Sequence, residues 1–115
     1  MSVTIWHNPR CSKSRQTLEL LTEAGHAPEI IRYLETPPSE SELENALALL
    51  GLPAIDLMRS GEKRFRELGL TKTGDEATLI AAMAENPILI ERPVVFANNR
   101  AAIGRPPEAV LGLFS

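Results

Sequence analysis

The chain is poor in cysteine and histidine, two residue types that would point to particular classes of protein. Among 115 residues there is one cysteine, so no internal disulfide can form and a thiol that reacts must be regenerated by another molecule. His7 and His26 are the only histidines, and with a single cysteine they make no convincing zinc constellation. We therefore expect no bound metal. We also expect no bound cofactor.

Basic charge and long apolar runs are also scarce. The formal net charge is −3, whereas general nucleic-acid and membrane-surface binders usually carry a basic excess. No apolar stretch approaches the roughly 20 residues that span a bilayer, and the first residues lack the basic-then-apolar pattern of a signal peptide. We expect a cytoplasmic protein with no nucleic-acid or membrane partner.

The single cysteine stands in an informative place. Cys11 lies in the segment Asn-Pro-Arg-Cys-Ser-Lys-Ser, between the apolar run Val3 to Trp6 and an amphipathic helical pattern. If the run is a strand, the loop after it delivers Cys11 to the first turn of a helix, where backbone N–H groups and the helix dipole favour a thiolate. An isolated cysteine is more often a small buried hydrophobe. The polar and cationic neighbours favour the reactive interpretation here.

Two residues near Cys11 could support its chemistry. Ser14 takes the place of the second cysteine in a C-x-x-C pair, so a conventional dithiol reaction is excluded. Its hydroxyl could bond the Cys11 sulfur or a bound anion, and it could also cap backbone N–H groups. His7 could lower the pKa of the thiol as an imidazolium, or simply terminate the strand.

The first third of the chain predicts a β-α-β unit. Helical spacing predicts a helix over Ser12 to Ala24, ended by Gly25 in a left-handed conformation. Glu29 to Leu34 is predicted as a second strand. Since such crossovers are nearly always right-handed, the two strands should be parallel neighbours.

Helical patterns dominate the middle third. Ser39 and Glu42 form a capping-box pattern at the start of a helix that Gly51 ends. Further helices are predicted around Lys63 to Leu68 and from about Asp75 to Glu85.

The last third predicts a hairpin followed by a helix. Val94 to Phe96 and Ala101 to Ile103 are predicted as short strands joined by Asn98-Asn99, residues suited to a tight turn. Pro106 and Pro107 suit the start of a final helix.

The order of all these elements predicts an α/β, thioredoxin-like fold. It consists of a four-stranded mixed sheet flanked by helices, with a helical insertion at about 39–86 between strands 2 and 3. We expect one domain over 1–115.

Three arginines each stand beside a structural break. Arg59 precedes Ser-Gly, while Arg92 and Arg105 precede prolines. The rigid guanidinium fork suits a tetrahedral oxyanion, although most single arginines are solvated surface charges. Pro93 could form a cis peptide bond at the start of its strand.

Taken together, these motifs resemble a known family. The run His7 to Arg15, with Arg59, Ile90 to Pro93 and Gly104 to Pro106, is similar to the glutaredoxin-coupled arsenate reductases of the ArsC type, in their short, chromosomal form. The resemblance extends from Val3 to about Leu113. It implies a thioredoxin-like oxidoreductase of arsenic resistance that reduces arsenate to arsenite, with glutathione as co-substrate and glutaredoxin as partner.

The resemblance also implies roles for individual residues. Cys11 corresponds to the nucleophile, and the three arginines correspond to anion-binding residues. Pro93 corresponds to a cis-proline. His7 and Ser14 match residues thought to lower the pKa of the thiol, and Asn8 belongs to the same supporting group. In the implied reaction the Cys11 thiolate attacks arsenate, glutathione attacks the adduct, and glutaredoxin resolves the mixed disulfide.

Two other functions stay open. Thiol-stress regulators of the Spx type share the architecture, but they usually switch through a C-x-x-C pair, which Ser14 removes here. A monothiol glutathione-dependent oxidoreductase is the second alternative, although three arginines suit a small oxyanion better than a tripeptide.

Overall fold

A four-stranded mixed sheet organises the first of two structural units. The computed structural model describes residues 2–115, and the chain divides into one unit up to Thr36 together with Arg92–Ser115, and a second unit of Pro37–Glu91. The sheet belongs to the first unit and has the order β2-β1-β3-β4. Its strands are β1 (Thr4–Trp6), β2 (Glu29–Ile31), β3 (Val94–Ala97) and β4 (Arg100–Ile103).

The pairing of the strands gives the sheet its mixed character. β1 is parallel to β2 and antiparallel to β3, and β3 is antiparallel to β4. Ile5 lies opposite Ile30 on one side and Val95 on the other. The predicted thioredoxin-like fold class, with a helical insertion between the second and third strands, is confirmed.

Helix α1 (Ser12–Glu23) joins the two parallel strands. It buries Ser14, Thr17 and Leu21, and the chain leaves it through Gly25 at φ +91°, a conformation that glycine adopts without steric cost. A 3-10 helix (Pro107–Phe114) packs against α1 and β4. The core of this unit lies beneath these elements and consists of Val3, Ile5, Leu21, Val95, Ala97, Val110 and Leu113.

The predicted hairpin is confirmed, and the second strand is shorter than predicted. Asn98 and Asn99 both have positive φ, 55° and 57°, which is the geometry of the predicted two-residue turn. The predicted strand Glu29 to Leu34 is wrong in its second half. The chain turns at Arg32, whose carbonyl accepts hydrogen bonds from the N–H groups of Glu35 and Thr36.

The second unit contains four α-helices. They are α2 (Glu40–Leu50), α3 (Ala54–Leu57), α4 (Lys63–Glu67) and α5 (Glu76–Glu85), followed by a 3-10 helix (Pro87–Leu89). The Ser39–Glu42 capping box is present in both directions, and Gly51 ends α2 at φ +68°. Helix α3 and this 3-10 helix were not predicted.

A short pairing of extended residues completes this unit. Met58 and Ile90 form an isolated antiparallel bridge, the Arg59 N–H donates to the Leu89 carbonyl at 2.8 Å, and the Glu91 N–H donates to the Leu57 carbonyl at 2.7 Å. These bonds hold the segment that carries Arg59. Within residues 2–115 no helix combines the length and the apolar character needed to cross a bilayer.

Candidate active site

The loop between β1 and α1 places Cys11. The Cys11 N–H donates to the Asn8 carbonyl at 3.0 Å, and the Arg10 N–H donates to Asn8 Oδ1 at 3.0 Å. Arg15 Nη1 donates back to the Pro9 carbonyl at 2.9 Å. Asn8 thus organises a tight turn that ends at the cysteine.

Cys11 occupies the position immediately before the first helical residue of α1, with extended backbone angles. Its thiol is free, and the residue is only 8% exposed. Burial alone would fit a cysteine that serves only as a small buried hydrophobe. The surroundings of the thiol do not fit that interpretation, because the charged Arg105 Nη2 lies 3.6 Å from Cys11 Sγ.

The pKa of the Cys11 thiol is lowered from its ordinary value. Burial acts in the opposite direction and raises the pKa, but the backbone N–H groups of Ser14 and Lys13 and the positive charge and hydrogen bond of Arg92 outweigh it. Neither N–H reaches the geometry of a full capping hydrogen bond to sulfur, so their effect is that of oriented dipoles at a helix start. The site favours a thiolate.

His7 and Ser14 contact each other rather than the thiol through their side chains. His7 Nδ1 lies 2.7 Å from Ser14 Oγ, which also accepts the Asn8 N–H at 3.0 Å. Ser14 is fully buried, and its approach to Cys11 is through its backbone N–H. The Ser14 hydroxyl therefore braces the loop in this structure.

The charge of His7 follows from its surroundings. Burial lowers the pKa of His7 below 6.5, and the charges of Arg32 and Arg15 lower it further. A neutral ring at neutral pH does not provide the positive charge that an imidazolium would offer to the thiol. The geometry favours the interpretation in which His7 follows β1 as a structural residue, its N–H bonded to the Ile31 carbonyl at 2.8 Å.

Two of the three predicted arginines lie in the same unit as Cys11. Arg105 Nε donates to the Arg92 carbonyl at 2.8 Å while its Nη2 approaches the sulfur. The Arg92–Pro93 peptide bond is cis, and so is Arg105–Pro106, which was not predicted. Both arginines thus stand within the electrostatic environment of the thiol.

The third arginine belongs to the second unit. Arg59 Nη1 lies 3.1 Å from Glu62 Oε2 and 3.4 Å from the Ile88 carbonyl. It lines a cavity of about 370 Å³ together with Met58, Ser60, Gly61, Glu62 and Glu91. Its role in anion binding stays a prediction.

The close packing of Gly104 against Thr17, next to the candidate site, was not predicted from the sequence. A Cβ at Gly104 would lie 2.5 Å from Thr17 Oγ1 and 2.7 Å from Pro93 Cγ, so only glycine fits between them. Thr17 is fully buried and donates to the Lys13 carbonyl at 2.8 Å. The glycine next to Arg105 was visible in the sequence, but nothing there showed which residues would press against it.

The lowered pKa gives a first testable expectation. The rate at which iodoacetamide alkylates Cys11 should reach half its maximum at a lower pH than for a free cysteine, since the thiolate persists to lower pH. The measurement is a pH series of alkylation rates followed by mass spectrometry. A profile centred at or above the pH for free cysteine would contradict the expected thiolate.

This geometry defines a class of protein. A single thiol with a lowered pKa, set at a helix start beside two arginines on a thioredoxin-like sheet, is the arrangement of a one-cysteine thiol enzyme acting on an anion. No cluster of metal-binding side chains occurs in the described part of the chain.

Comparison with known proteins gives the family. The sequence model of the ArsC family matches residues 6–113, and the chain belongs to that family. It is 53% identical over 111 residues to the uncharacterised protein YfgD of Escherichia coli K12, covering 95% of this chain and 93% of the relative. It is 48% identical over 110 residues to an arsenate reductase of Neisseria meningitidis serogroup A, covering 94% of each.

A solved structure agrees with these matches. An arsenate reductase from Vibrio cholerae superposes with a TM-score of 0.95 at 51% identity, covering 98% of both chains.

Proposed function

We propose that this protein is an arsenate reductase in which Cys11 is the nucleophile. The observation that carries the proposal is the Cys11 sulfur with a lowered pKa at the start of α1, beside Arg92 and Arg105. Two relatives of similar length that are named arsenate reductases, from Neisseria meningitidis and Vibrio cholerae, support the substrate. We place the activity in the cytoplasm, where glutathione keeps such a thiol reduced.

The first step joins sulfur to arsenic. Arsenate is held by the helix start and the arginines, whose positive charge offsets the repulsion between two anions. The thiolate forms a bond to arsenic(V), an As–O bond breaks, and that oxygen leaves as water after protonation. The resulting adduct still contains arsenic(V).

The second step is the two-electron reduction. The sulfur of glutathione attacks Cys11 Sγ, a disulfide bond forms, and the S–As bond breaks with its electron pair on arsenic, which leaves as arsenite. The two thiols are thereby oxidised to a mixed disulfide. With Ser14 where a second cysteine would stand, a thiol of glutaredoxin must restore Cys11 by exchange.

A coupled assay tests this proposal. Purified protein is given arsenate, glutathione, glutaredoxin, glutathione reductase and NADPH, and arsenite is quantified by chromatography. We expect arsenite formation that depends on each of the two thiol components. Turnover no faster than without the protein would refute the proposal. In that case stoichiometric binding to RNA polymerase would favour the Spx-type regulator, and deglutathionylation of a peptide would favour the monothiol oxidoreductase.

The arginines provide a quantitative prediction. Arg92→Ala and Arg59→Ala should each weaken oxyanion binding by about 1.5–3 kcal/mol, the contribution of a hydrogen bond to a charged group. Isothermal calorimetry with arsenate in the absence of glutathione measures this. The exposed Arg66 in α4 gives the control variant Arg66→Ala, which should bind as the wild type does. An unchanged affinity in either test variant would remove that arginine from the site.

A further inference from the structure

We propose that Glu62 competes with the oxyanion for Arg59 and thereby sets the affinity of the protein for its substrate. The inference deepens the proposed function and rests on its assignment of Arg59 to anion binding. Glu62 belongs to none of the motifs that carried the family resemblance.

The geometry of the ion pair is the first argument. Arg59 Nη1 lies 3.1 Å from Glu62 Oε2, and the two side chains are only 27% and 25% exposed. Partial burial reduces screening by water, so the attraction is stronger than at the open surface. The carboxylate occupies a guanidinium edge that a tetrahedral oxyanion would use, because arginine binds both groups through the same N–H···O geometry.

The backbone keeps the two side chains together. The Glu62 N–H donates to the Arg59 carbonyl at 3.0 Å, closing a tight turn, while the Arg59 N–H is held by the Leu89 carbonyl at 2.8 Å. Such a tethered carboxylate is always at high local concentration near the guanidinium. An oxyanion must displace it or share the guanidinium with it, and both cost binding free energy.

The space beside Arg59 is large enough for an oxyanion to replace the Glu62 carboxylate. The cavity of about 370 Å³ beside Arg59 and Glu62 far exceeds the roughly 10–15 Å³ of such volume that one water molecule needs, so an anion of five heavy atoms fits there. Its lining includes a second carboxylate, Glu91. Glu91 is retained in every variant below, so its repulsion of a bound anion is the same in all the affinities that are compared.

The chain offers a matched control for the test. Arg64 and Glu67 form a second ion pair with the same three-residue spacing, at 3.6 Å and with both side chains 46% exposed. Glu67→Gln removes the same charge as Glu62→Gln and breaks an equivalent pair. Any general effect of raising the net charge by one is therefore common to both variants.

The experiment is calorimetric titration with sulfate, a dianion that the protein cannot reduce. We expect Glu62→Gln to bind sulfate about two- to fivefold more tightly than the wild type, the factor that corresponds to the measured strength of such ion pairs. Glu67→Gln should bind as the wild type does. In an Arg59→Ala background, Glu62→Gln should have no effect, because the contested guanidinium is gone.

The alternatives give different results. If Glu62 instead orients Arg59 for the anion, Glu62→Gln weakens binding, and that result overturns the proposal. So does an equal gain in Glu67→Gln, or a gain that persists without Arg59. Glu62 precedes α4 but makes no side-chain cap bond there, so Glu62→Gln should stay folded and lose only the stability that the ion pair contributes, about 0.2–1 kcal/mol. Glu62→Ala repeats the test with a shorter side chain.

Failure of this inference is separable from failure of the proposed function. Arsenite production by the wild-type protein in the coupled assay tests the function alone. Sulfate binding that strengthens in Glu62→Gln supports the competition even if arsenate is not reduced. Arsenate reduction with a sulfate affinity unaffected by Glu62 overturns the competition alone.

Discussion

Cys11→Ser should reduce arsenite formation in the coupled assay to that of a sample without the protein. The reason lies in the electron count of the reaction. Serine oxygen is a far weaker nucleophile at neutral pH, and it cannot form the disulfide whose formation releases two electrons to arsenic(V). The loss should therefore be complete.

The folded state should survive this substitution, which makes the result interpretable. Cys11 is the residue before α1, and serine is among the best residues at that position because its oxygen accepts a backbone N–H. The free energy of unfolding of Cys11→Ser should equal or exceed that of the wild type in urea denaturation. Residual turnover in a folded Cys11→Ser protein would show that another group carries the reaction.

Gly104→Ala should lower the free energy of unfolding by about 1–3 kcal/mol or more, the cost of overpacking a filled site. The new Cβ would lie 2.5 Å from Thr17 Oγ1 and 2.7 Å from Pro93 Cγ, so α1 and the segment preceding β3 would have to separate. Cys11 directly precedes α1, and Arg92 lies in the segment preceding β3. We therefore also expect Cys11 alkylation to move to higher pH, as Arg92 moves from the sulfur.

Gly112→Ala is the matched control for that variant. A Cβ at Gly112 meets no atom within 4 Å, and the residue lies in the C-terminal 3-10 helix. Its stability should stay within about 1 kcal/mol of the wild type or rise slightly, because alanine restricts the unfolded chain. Urea denaturation of both variants checks the pair. Equal stability of Gly104→Ala and Gly112→Ala would contradict the close packing at Gly104.

The features that could be predicted from sequence are those specified by neighbouring residues. The capping box of Ser39 and Glu42 needs only two side chains three residues apart, and it is present as predicted. Asn98 and Asn99 tolerate positive φ by themselves, so the hairpin followed from them. The position of Cys11 at the start of α1 followed from the same kind of local signal.

Features that depend on distant contacts were missed. Tyr33 is 1% exposed, and its burial resembles that of a strand residue even though the chain has already turned at Arg32. The hydroxyl of Ser14 bonds to His7 and Asn8, a choice that depends on how the loop folds back. The contact of Arg105 with Cys11 joins residues 94 positions apart, and no spacing rule predicts it.

Arg105 also bears on the entropy of binding. Its guanidinium is held at one nitrogen by the Arg92 carbonyl and presents another toward sulfur, and these two contacts restrict its rotamers. A long, flexible side chain loses up to about 2 kcal/mol in conformational entropy when it is immobilised. Here part of that loss occurs when the polypeptide folds, so under the proposed function an arriving anion would meet a partly preorganised cation.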